Sequence, residues 1–454
     1  MNRKDNALSE YLSAVYNYND LYILNVNGRV DASNRFGQNK NHRFEPTWST
    51  GIKWRVANEP FIQKLNWLNN LDLYASFGYQ GNAVTSVSPY LIAYDGGLDN
   101  RYNEYVLNIK SLPYPSLGWE KTKTYNIGLD GALFGGRFNF TVNYFKKISD
   151  VLSSRNIPYE NGIANGVVSG STMENHGYDF VIDVVPIRTK DFTWQLSVNT
   201  AVSRNKIEKN DRVNTLNDYL DGSAIVNGRP YSTFYSYKFA GLNPENGLPM
   251  FDNMDLEHGK SPMGYLIESG KFTPDFSGGL NTMFKYKNFA FYALFSIQWG
   301  GHARLPKLYS ATDTESGLPR PEQNVSNKLN NRWKKPGDEL HTDIPSLPGA
   351  GNEFINLPET ATTQTTRTNL YHMYNLSDVR TARTDFIRCR SISMSYEFNN
   401  GQWMDKLFLK RLQVKASMSN PFVWAFDKKW DGLDPETGSW PARKVISISL
   451  QAAF

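Results

Sequence analysis

At 454 residues the chain is about three times the usual length of one soluble domain, yet its 34 Gly and 22 Pro are an ordinary share, which argues against a collagen-like or low-complexity polymer. Aromatic side chains make up 14% of the residues, a load that must be buried, set against lipid or used to hold a ligand. The 49 Lys and Arg against 44 Asp and Glu give +5 spread along the chain without a clustered basic patch, so nucleic acid is not an expected partner.

Mean hydropathy is −0.52, and the longest nearly unbroken apolar stretch, Phe289 to Ile297, is far short of the roughly 18 residues a transmembrane helix requires. A transmembrane β-barrel is compatible with both facts, because its strands need only about 10 residues of alternating character. The N-terminal Met1-Asn2-Arg3-Lys4-Asp5 has no apolar core after its positive charges, which does not read as a secretory signal peptide.

Along the chain the dominant pattern is period-2 alternation, which puts one set of side chains on each face of a strand. The first strand is expected near 7–17, followed by a tight turn from Asn17 to Asp20 and a second strand near 21–32. In that second strand Tyr22, Leu24, Val26 and Val30 share one face, and Asn25, Asn27, Arg29 and Asp31 the other. A third follows near 47–57 and a fourth near 70–80, where Leu71, Leu73, Ala75, Phe77 and Tyr79 oppose Asp72, Tyr74, Ser76, Gly78 and Gln80. Next come 119–134, the tight turn Leu133 to Phe138, and 137–149, where Phe138, Phe140, Val142 and Tyr144 oppose Asn139, Thr141, Asn143 and Lys147. Strands at 176–187 and 192–206 flank a turn from Arg188 to Asp191; those at 276–287 and 289–299 flank Tyr286-Lys287-Asn288-Phe289; the last three are 384–398, 406–418 and 443–454.

Between the tight turns lie long connections, 81–118, 150–175, 207–275, 300–383 and 419–442, rich in Gly, Pro, Asn and Tyr. Structureless loops of that length are rare in compact soluble domains but normal on the outer side of outer-membrane barrels, whose other connections are short periplasmic turns. Asn161-Gly162, Asn165-Gly166, Asn227-Gly228 and Asn246-Gly247 supply positive-φ positions within these loops, and the Thr-rich run Glu359 to Thr368 reads as a loop tip. The strand count is odd, whereas single-chain bacterial barrels close with an even number, so thirteen strands read as part of a barrel. The last strand sets Ile446, Ile448, Leu450, Ala452 and Phe454 against Ser447, Ser449, Gln451 and Ala453 and stops on the aromatic. Such an ending resembles the assembly signal that outer-membrane barrels present to their insertion machinery.

No enzyme signature emerges, and no cofactor is expected. The single cysteine, Cys389, lies in a strand with no His near it in sequence to act as a base. The six His, at 42, 176, 258, 302, 341 and 372, lack metal-ligand spacing. Asp431, Asp434 and Glu436 lack the spacing of a calcium loop and read as a turn with solvated acids. The loop aromatics Tyr90, Tyr94, Tyr231, Tyr235, Trp333, Trp424 and Trp430 are candidates for contact with a sugar ring or a lid protein, with loop packing or a membrane-interface girdle as the alternative.

Several segments resemble one family in the same order. Arg29-Val30-Asp31-Ala32-Ser33-Asn34-Arg35-Phe36-Gly37 is similar to the RxDGSSRFG-type segment of the SusC/RagA family of TonB-linked outer-membrane transporters. Leu117 to Thr122, Asn175 to Asp179, Phe276 to Asn281, Arg332 to Asp338 and Gly432 to Gly438 resemble further segments, so that the likeness covers essentially all 454 residues. The resemblance implies a 22-stranded barrel importing oligosaccharides or peptides, capped by a SusD-like surface lipoprotein and powered through TonB. The signal peptide, TonB box, plug and first strands of the family are not matched. Residues 1–454 are therefore expected to be the C-terminal barrel portion, about thirteen of the strands, set in outer-membrane lipid and coupled to TonB only through the unmatched part. The competing readings are a secreted all-β carbohydrate-binding or structural protein, which would stay soluble without detergent, and a β-rich hydrolase.

Overall fold

The computed structural model describes residues 6–34, 43–84, 87–114, 117–156, 165–210, 212–254, 262–312, 315, 317–320, 322–349, 353–358, 365–399 and 401–454. Arg35 to Gly37 of the family-like segment, His42, Asn161-Gly162, His258 and positions 359–364 of the Thr-rich run lie outside the described residues.

One antiparallel sheet of thirteen strands organises the chain. Its members are β1 (Ala7–Tyr18), β2 (Tyr22–Ser33), β3 (Phe44–Arg55), β4 (Leu68–Asn82), β5 (Glu120–Leu133), β6 (Phe138–Asn156), β7 (Asn165–Arg188), β8 (Phe192–Lys209), β9 (Phe276–Tyr286), β10 (Phe289–Trp299), β11 (Phe386–Phe398), β12 (Arg411–Ala425) and β13 (Val445–Ala453). Each pairs with its predecessor and successor, an up-and-down order with no crossover. All thirteen strands expected from periodicity are present. β1 and β13 form the two edges, each with a single neighbour in the sheet, so the sheet is open.

The turns at one end are short because the local residues tolerate left-handed backbone. Asn19 and Asp20 join β1 to β2 at φ +52° and +58°, the region Asn and Asp enter most readily after Gly. Phe134, Gly135 and Gly136 do the same between β5 and β6.

Side chains divide by face as the alternation demands. On the polar face Ser13 donates to Asn27 at 2.7 Å, Asn27 to Ser49 at 3.2 Å, Asn126 to Ser76 at 3.1 Å and Thr141 to Asp130 at 2.8 Å. The apolar face carries aromatic ladders near both rims. Tyr22 and Trp54 stand close to the short-turn end with ring centroids 6.3 Å apart, and Trp299, Trp424 and Phe426 meet at the long-loop end, with Trp299 and Phe426 5.0 Å apart. Such girdles mark the two membrane–water interfaces of a barrel wall. Two glycines are required by close approach: a Cβ on Gly128 would fall within the ring of Tyr74 across the strand pair, and one on Gly131 within the ring of Phe140.

Two long connections are shorter than periodicity suggests. Positions 150–175, expected as a loop, are mostly a continuation of the β6–β7 hairpin, and Asn165-Gly166 pair in its ladder with Asn156 and Arg155. β12 likewise runs on to Ala425, seven residues beyond its expected end. In the β6–β7 hairpin the alternating signal fades because strands projecting beyond lipid have no apolar face to display, whereas in β12 the irregularity at Asn420-Pro421 interrupts it before Phe422 and Trp424 resume the apolar face. The other connections are folded: Ile92–Asp99 pairs with Glu104–Ser111, Thr233–Tyr237 with Leu266–Lys271, Phe239–Leu242 with Pro249–Phe251, and His302–Arg304 with Thr381–Arg383. Thr365–Asn369, which overlaps the end of the expected loop tip, pairs with Phe354–Pro358.

Two outcomes follow. Single cysteines at Ser447 or Gln451 react with a water-soluble maleimide in the assembled protein while those at Ile448 or Leu450 are shielded by lipid; equal labelling of both sets refutes the facing. Cys389 is fully buried and adds little background. Gly128→Ala displaces the Tyr74 ring and lowers stability by about 1–3 kcal/mol, read as a lower temperature for conversion of the folded to the unfolded band on a gel.

Candidate functional site

The connections β8–β9, β10–β11 and β12–β13 pack into one roof over the long-loop end of the sheet. Leu220, Tyr235, Tyr237, Tyr265, Leu266, Leu357 and Met373 form one core. Leu308, Tyr309, Ala311, Leu329, Tyr371 and Tyr374 form a second, and Leu305, Ala382 and Trp430 a third. Burial raises the phenols above their ordinary value, Tyr371 and Tyr374 up to about 12 and Tyr309 further, so all three stay neutral and act as packing and hydrogen-bonding groups. Tyr309 donates to the Pro345 carbonyl at 2.7 Å, and the Asn375 amide bonds the Tyr309 carbonyl at 2.7 Å.

The short helix Leu216–Asp221 begins the roof with a reciprocal cap. The Thr215 side chain accepts from the Asp218 N–H at 3.3 Å, and the Asp218 carboxylate accepts from the Thr215 N–H at 2.7 Å. Burial on its own would raise the pKa of Asp218, but the hydrogen bonds from Thr215 and the charge of Arg212 outweigh it and hold the carboxyl below its usual value. Gly222 closes the helix at φ +78°.

Arg304 staples the roof together. One terminal nitrogen donates to Ser236 Oγ at 3.0 Å and the Leu376 carbonyl at 2.9 Å; the other donates to the carbonyls of Leu220 at 2.9 Å and Tyr235 at 2.6 Å. The guanidinium also lies 5.0 Å from the ring centre of Phe234. Desolvation lowers its pKa to about 10, which leaves it charged at neutral pH.

A second device ties the roof to the sheet. Arg388, on the polar face of β11, meets both carboxylate oxygens of Asp434 at 2.6 and 2.7 Å and Glu436 at 2.9 Å. Arg388 is 4% exposed and Asp434 1%. Two residues on, Arg390 bonds Glu436 at 3.1 Å and Ser296 Oγ at 2.9 Å. The β10–β11 and β11–β12 registers both slip at this point, and Pro421 sits opposite the irregularity. A bulge is where a strand re-aims a side chain and where Pro is tolerated.

The tip Pro435 to Gly438, held down by these arginines, closes one side of a cavity of about 680 Å³. Asn217, Asp221, Arg304, His372, Glu436 and Thr437 supply its polar groups and Phe272 an aromatic wall. Below it, on the polar face, Asp179, Asn199, Ser296 and Arg390 line a hollow of about 570 Å³. Arg390 contacts the Glu436 tip above and Ser296 below, making the two spaces neighbours. This donor and acceptor lining suits a polar, hydroxyl- or amide-rich solute. No cluster of metal-ligating side chains occurs among the described residues.

The loop aromatics expected to touch a ligand or lid divide into two groups. Tyr90, Tyr94, Tyr231 and Trp424 are exposed. Trp424 stands on the apolar face, paired across the ladder with Ile387. Tyr235, Trp333 and Trp430 are buried and serve packing. Trp430 donates to the Arg383 carbonyl at 2.7 Å, and Trp333 occupies the space where a side chain on Gly247 would stand. Ile446, Ile448, Leu450 and Phe454 of the terminal strand are exposed along its apolar edge, and Ala452 shares their face. Arg304, Arg388 and Arg390 escaped sequence reasoning; the available signal was a pair of arginines two apart in an otherwise membrane-like strand. Asp434 and Glu436, expected as solvated acids, are instead the arginines' partners, and Asp434 is buried.

Truncating one partner of a buried ion pair costs about 3–5 kcal/mol because the other charge stays buried. Arg388→Ala therefore frees the 426–444 connection, seen as faster protease cleavage there on intact cells, while Lys415→Ala, lower on the neighbouring strand, leaves cleavage unchanged. Equal resistance in Arg388→Ala and the parent refutes the clamp.

The family described as "TonB dependent receptor-like, beta-barrel" matches residues 1–305. The chain is 28% identical to TonB-dependent receptor SusC of Bacteroides thetaiotaomicron over 99% of its length and 44% of that protein. It is 26% identical to TonB-dependent receptor P39 of Formosa agariphila, over 99% of this chain and 46% of the relative. Among solved structures it is similar to the RagAB peptide importer in the open-open state, with TM-score 0.76, 21% identity, and coverage of 99% of this chain and 47% of that one. The chain thus spans just under half the length of the relatives it matches. With a family match across more than half its residues, the sheet, its girdles and its roof are those of an outer-membrane protein similar to SusC and to the RagAB importer: the chain belongs to the TonB-dependent receptor β-barrels.

Proposed function

We propose that the chain forms the C-terminal wall and outer roof of an outer-membrane importer for a polar nutrient, an oligosaccharide or a peptide. The observation that carries the reading is the pair of polar-lined spaces, the roof cavity and the lower hollow at Asp179, Asn199 and Ser296, that the Arg390–Glu436 contact joins. Further strands pair with β1 and β13 to close the barrel, because an open edge in lipid leaves its N–H and C=O groups without partners. Family membership supports energy coupling through TonB, and the likeness to SusC and to the RagAB peptide importer supports a SusD-like surface lipoprotein as lid.

Tyr90 and Tyr94 are proposed as lid contacts. They belong to or flank the Ile92–Asp99 and Glu104–Ser111 hairpin, which among the described residues pairs only with itself and exposes Tyr102, Tyr105 and Leu107. A lone two-stranded hairpin is marginal in water, and a partner surface would steady it. Tyr231, also exposed, stands beside the roof, its N–H bonded to Asn205 Oδ1 at 2.6 Å.

Uptake by cells expressing the gene decides between the solutes. Labelled oligosaccharide and oligopeptide mixtures are supplied separately, and the Arg390→Gln, Glu436→Gln pair is compared with the parent at equal folded protein in the outer membrane. Uptake of one solute class is expected to fall several-fold in the variant. Unchanged uptake of both classes contradicts a route through this contact.

A further inference from the structure

At the short-turn end, the apolar face of β1 to β5 carries a groove of about 410 Å³ walled by Tyr16, Tyr22, Leu24, Trp54, Leu73 and Ile127. Leu24, Leu73 and Ile127 stand exposed along it, a strip of aliphatic surface toward the membrane. Tyr22 and Trp54 lie nearly parallel, with planes 17° apart, and both polar tips converge on one acid. Glu59 Oε1 accepts from the Tyr22 hydroxyl at 2.7 Å and from Trp54 Nε1 at 2.9 Å.

Glu59 is fixed where it stands. It follows the single turn Val56–Asn58, its N–H bonds the Val56 carbonyl at 3.1 Å, and its carbonyl receives Ile62 at 2.9 Å and Gln63 at 3.0 Å. The residue is 9% exposed. Both of its side-chain donors are neutral, and among the described residues no Lys, Arg or His pairs with it. The nearby cations are engaged elsewhere, Arg55 with Asp20 and Lys53 with Asp72. A carboxylate beside an apolar, membrane-facing groove is costly without a counter-charge.

We propose that this groove binds an aminophospholipid of the periplasmic leaflet, with an acyl chain along Leu24, Leu73 and Ile127 and the headgroup ammonium against Glu59. A phosphoethanolamine headgroup fits the chemistry. Its primary ammonium offers three N–H donors to the carboxylate, and the ring faces of Tyr22 and Trp54 attract a cation. The groove selects a lipid over a free amine because most of its wall can be covered only by hydrocarbon. The site depends on the sheet spanning the membrane and is independent of which solute is imported.

The test is native mass spectrometry of the full-length protein extracted in mild detergent and exposed to equimolar phosphoethanolamine and phosphoglycerol lipids with matched acyl chains. Preferential retention of the phosphoethanolamine lipid by roughly fivefold is expected, the scale of one partly exposed ion pair aided by aromatic faces. Glu59→Gln keeps an acceptor for Tyr22 and Trp54 but removes the charge, and brings the ratio to about one. N-acetylated phosphoethanolamine, which has lost its ammonium, loses the preference on the unaltered protein and reads the same contact if the variant fails to fold. Equal retention of both headgroups by the parent, or a preference that survives in Glu59→Gln or with the acetylated lipid, overturns the site. Solute uptake stays at the parent level in Glu59→Gln when folded protein is matched, which separates this site from the transport route.

Discussion

The structure rests on one constraint: within lipid every backbone N–H and C=O must find a partner in the protein. Strands satisfy it only by pairing on both sides, which is why each interior member of the sheet lies between its sequence neighbours and no crossover interrupts the order. The same constraint confines register slips to a few sites, one of which, at Arg390, carries a side chain used by the roof. It also makes the edges β1 and β13 the most consequential positions in the fold. Both are exposed along their whole length.

Outside the lipid the demand is relaxed, because water can pair what the chain does not, and a different rule takes over. Long connections in water must build their own core or remain disordered. This chain does so with buried tyrosines, and secures the result with two arginines at opposite levels. Arg304 holds three roof segments through carbonyls and one hydroxyl; Arg388 binds the roof to the sheet through Asp434 and Glu436. The roof tip is thereby fixed by charge-assisted bonds to the wall that lines the hollow beneath it. On the proposed route, the residues that position the roof tip, Arg390 and Glu436, would also be the ones that meet the solute.

The membrane-spanning part was legible in the sequence because lipid on one side and polar groups on the other impose a period of two, and strand positions such as 192–206 and 289–299 could be read from alternation alone. Legibility ended where lipid ended. The outer halves of β6 and β7, such as Ser149 to Asn156, lack apolar–polar alternation and read as loop. The bulge at Arg390 also hid the site: strict alternation puts Arg388 and Arg390 on one face as ordinary wall residues, and nothing local says that their acids lie 46 positions on in Asp434 and Glu436. The aromatic excess was visible in composition, but burial separates Tyr235, Trp333 and Trp430 from Tyr90, Tyr94 and Tyr231, and burial depends on distant chain.

The central claim is that these thirteen strands are a stretch of closed wall in the outer membrane. Backbone hydrogen exchange in native outer-membrane vesicles tests it most directly, by comparing the edge strands β1 and β13 with the interior strands β7 and β8. The account predicts slow exchange of alternate amides in both edges, at rates close to those of the interior, because each edge is paired on its second side. Fast exchange along the outer side of β1 or β13, with β7 and β8 protected, contradicts it.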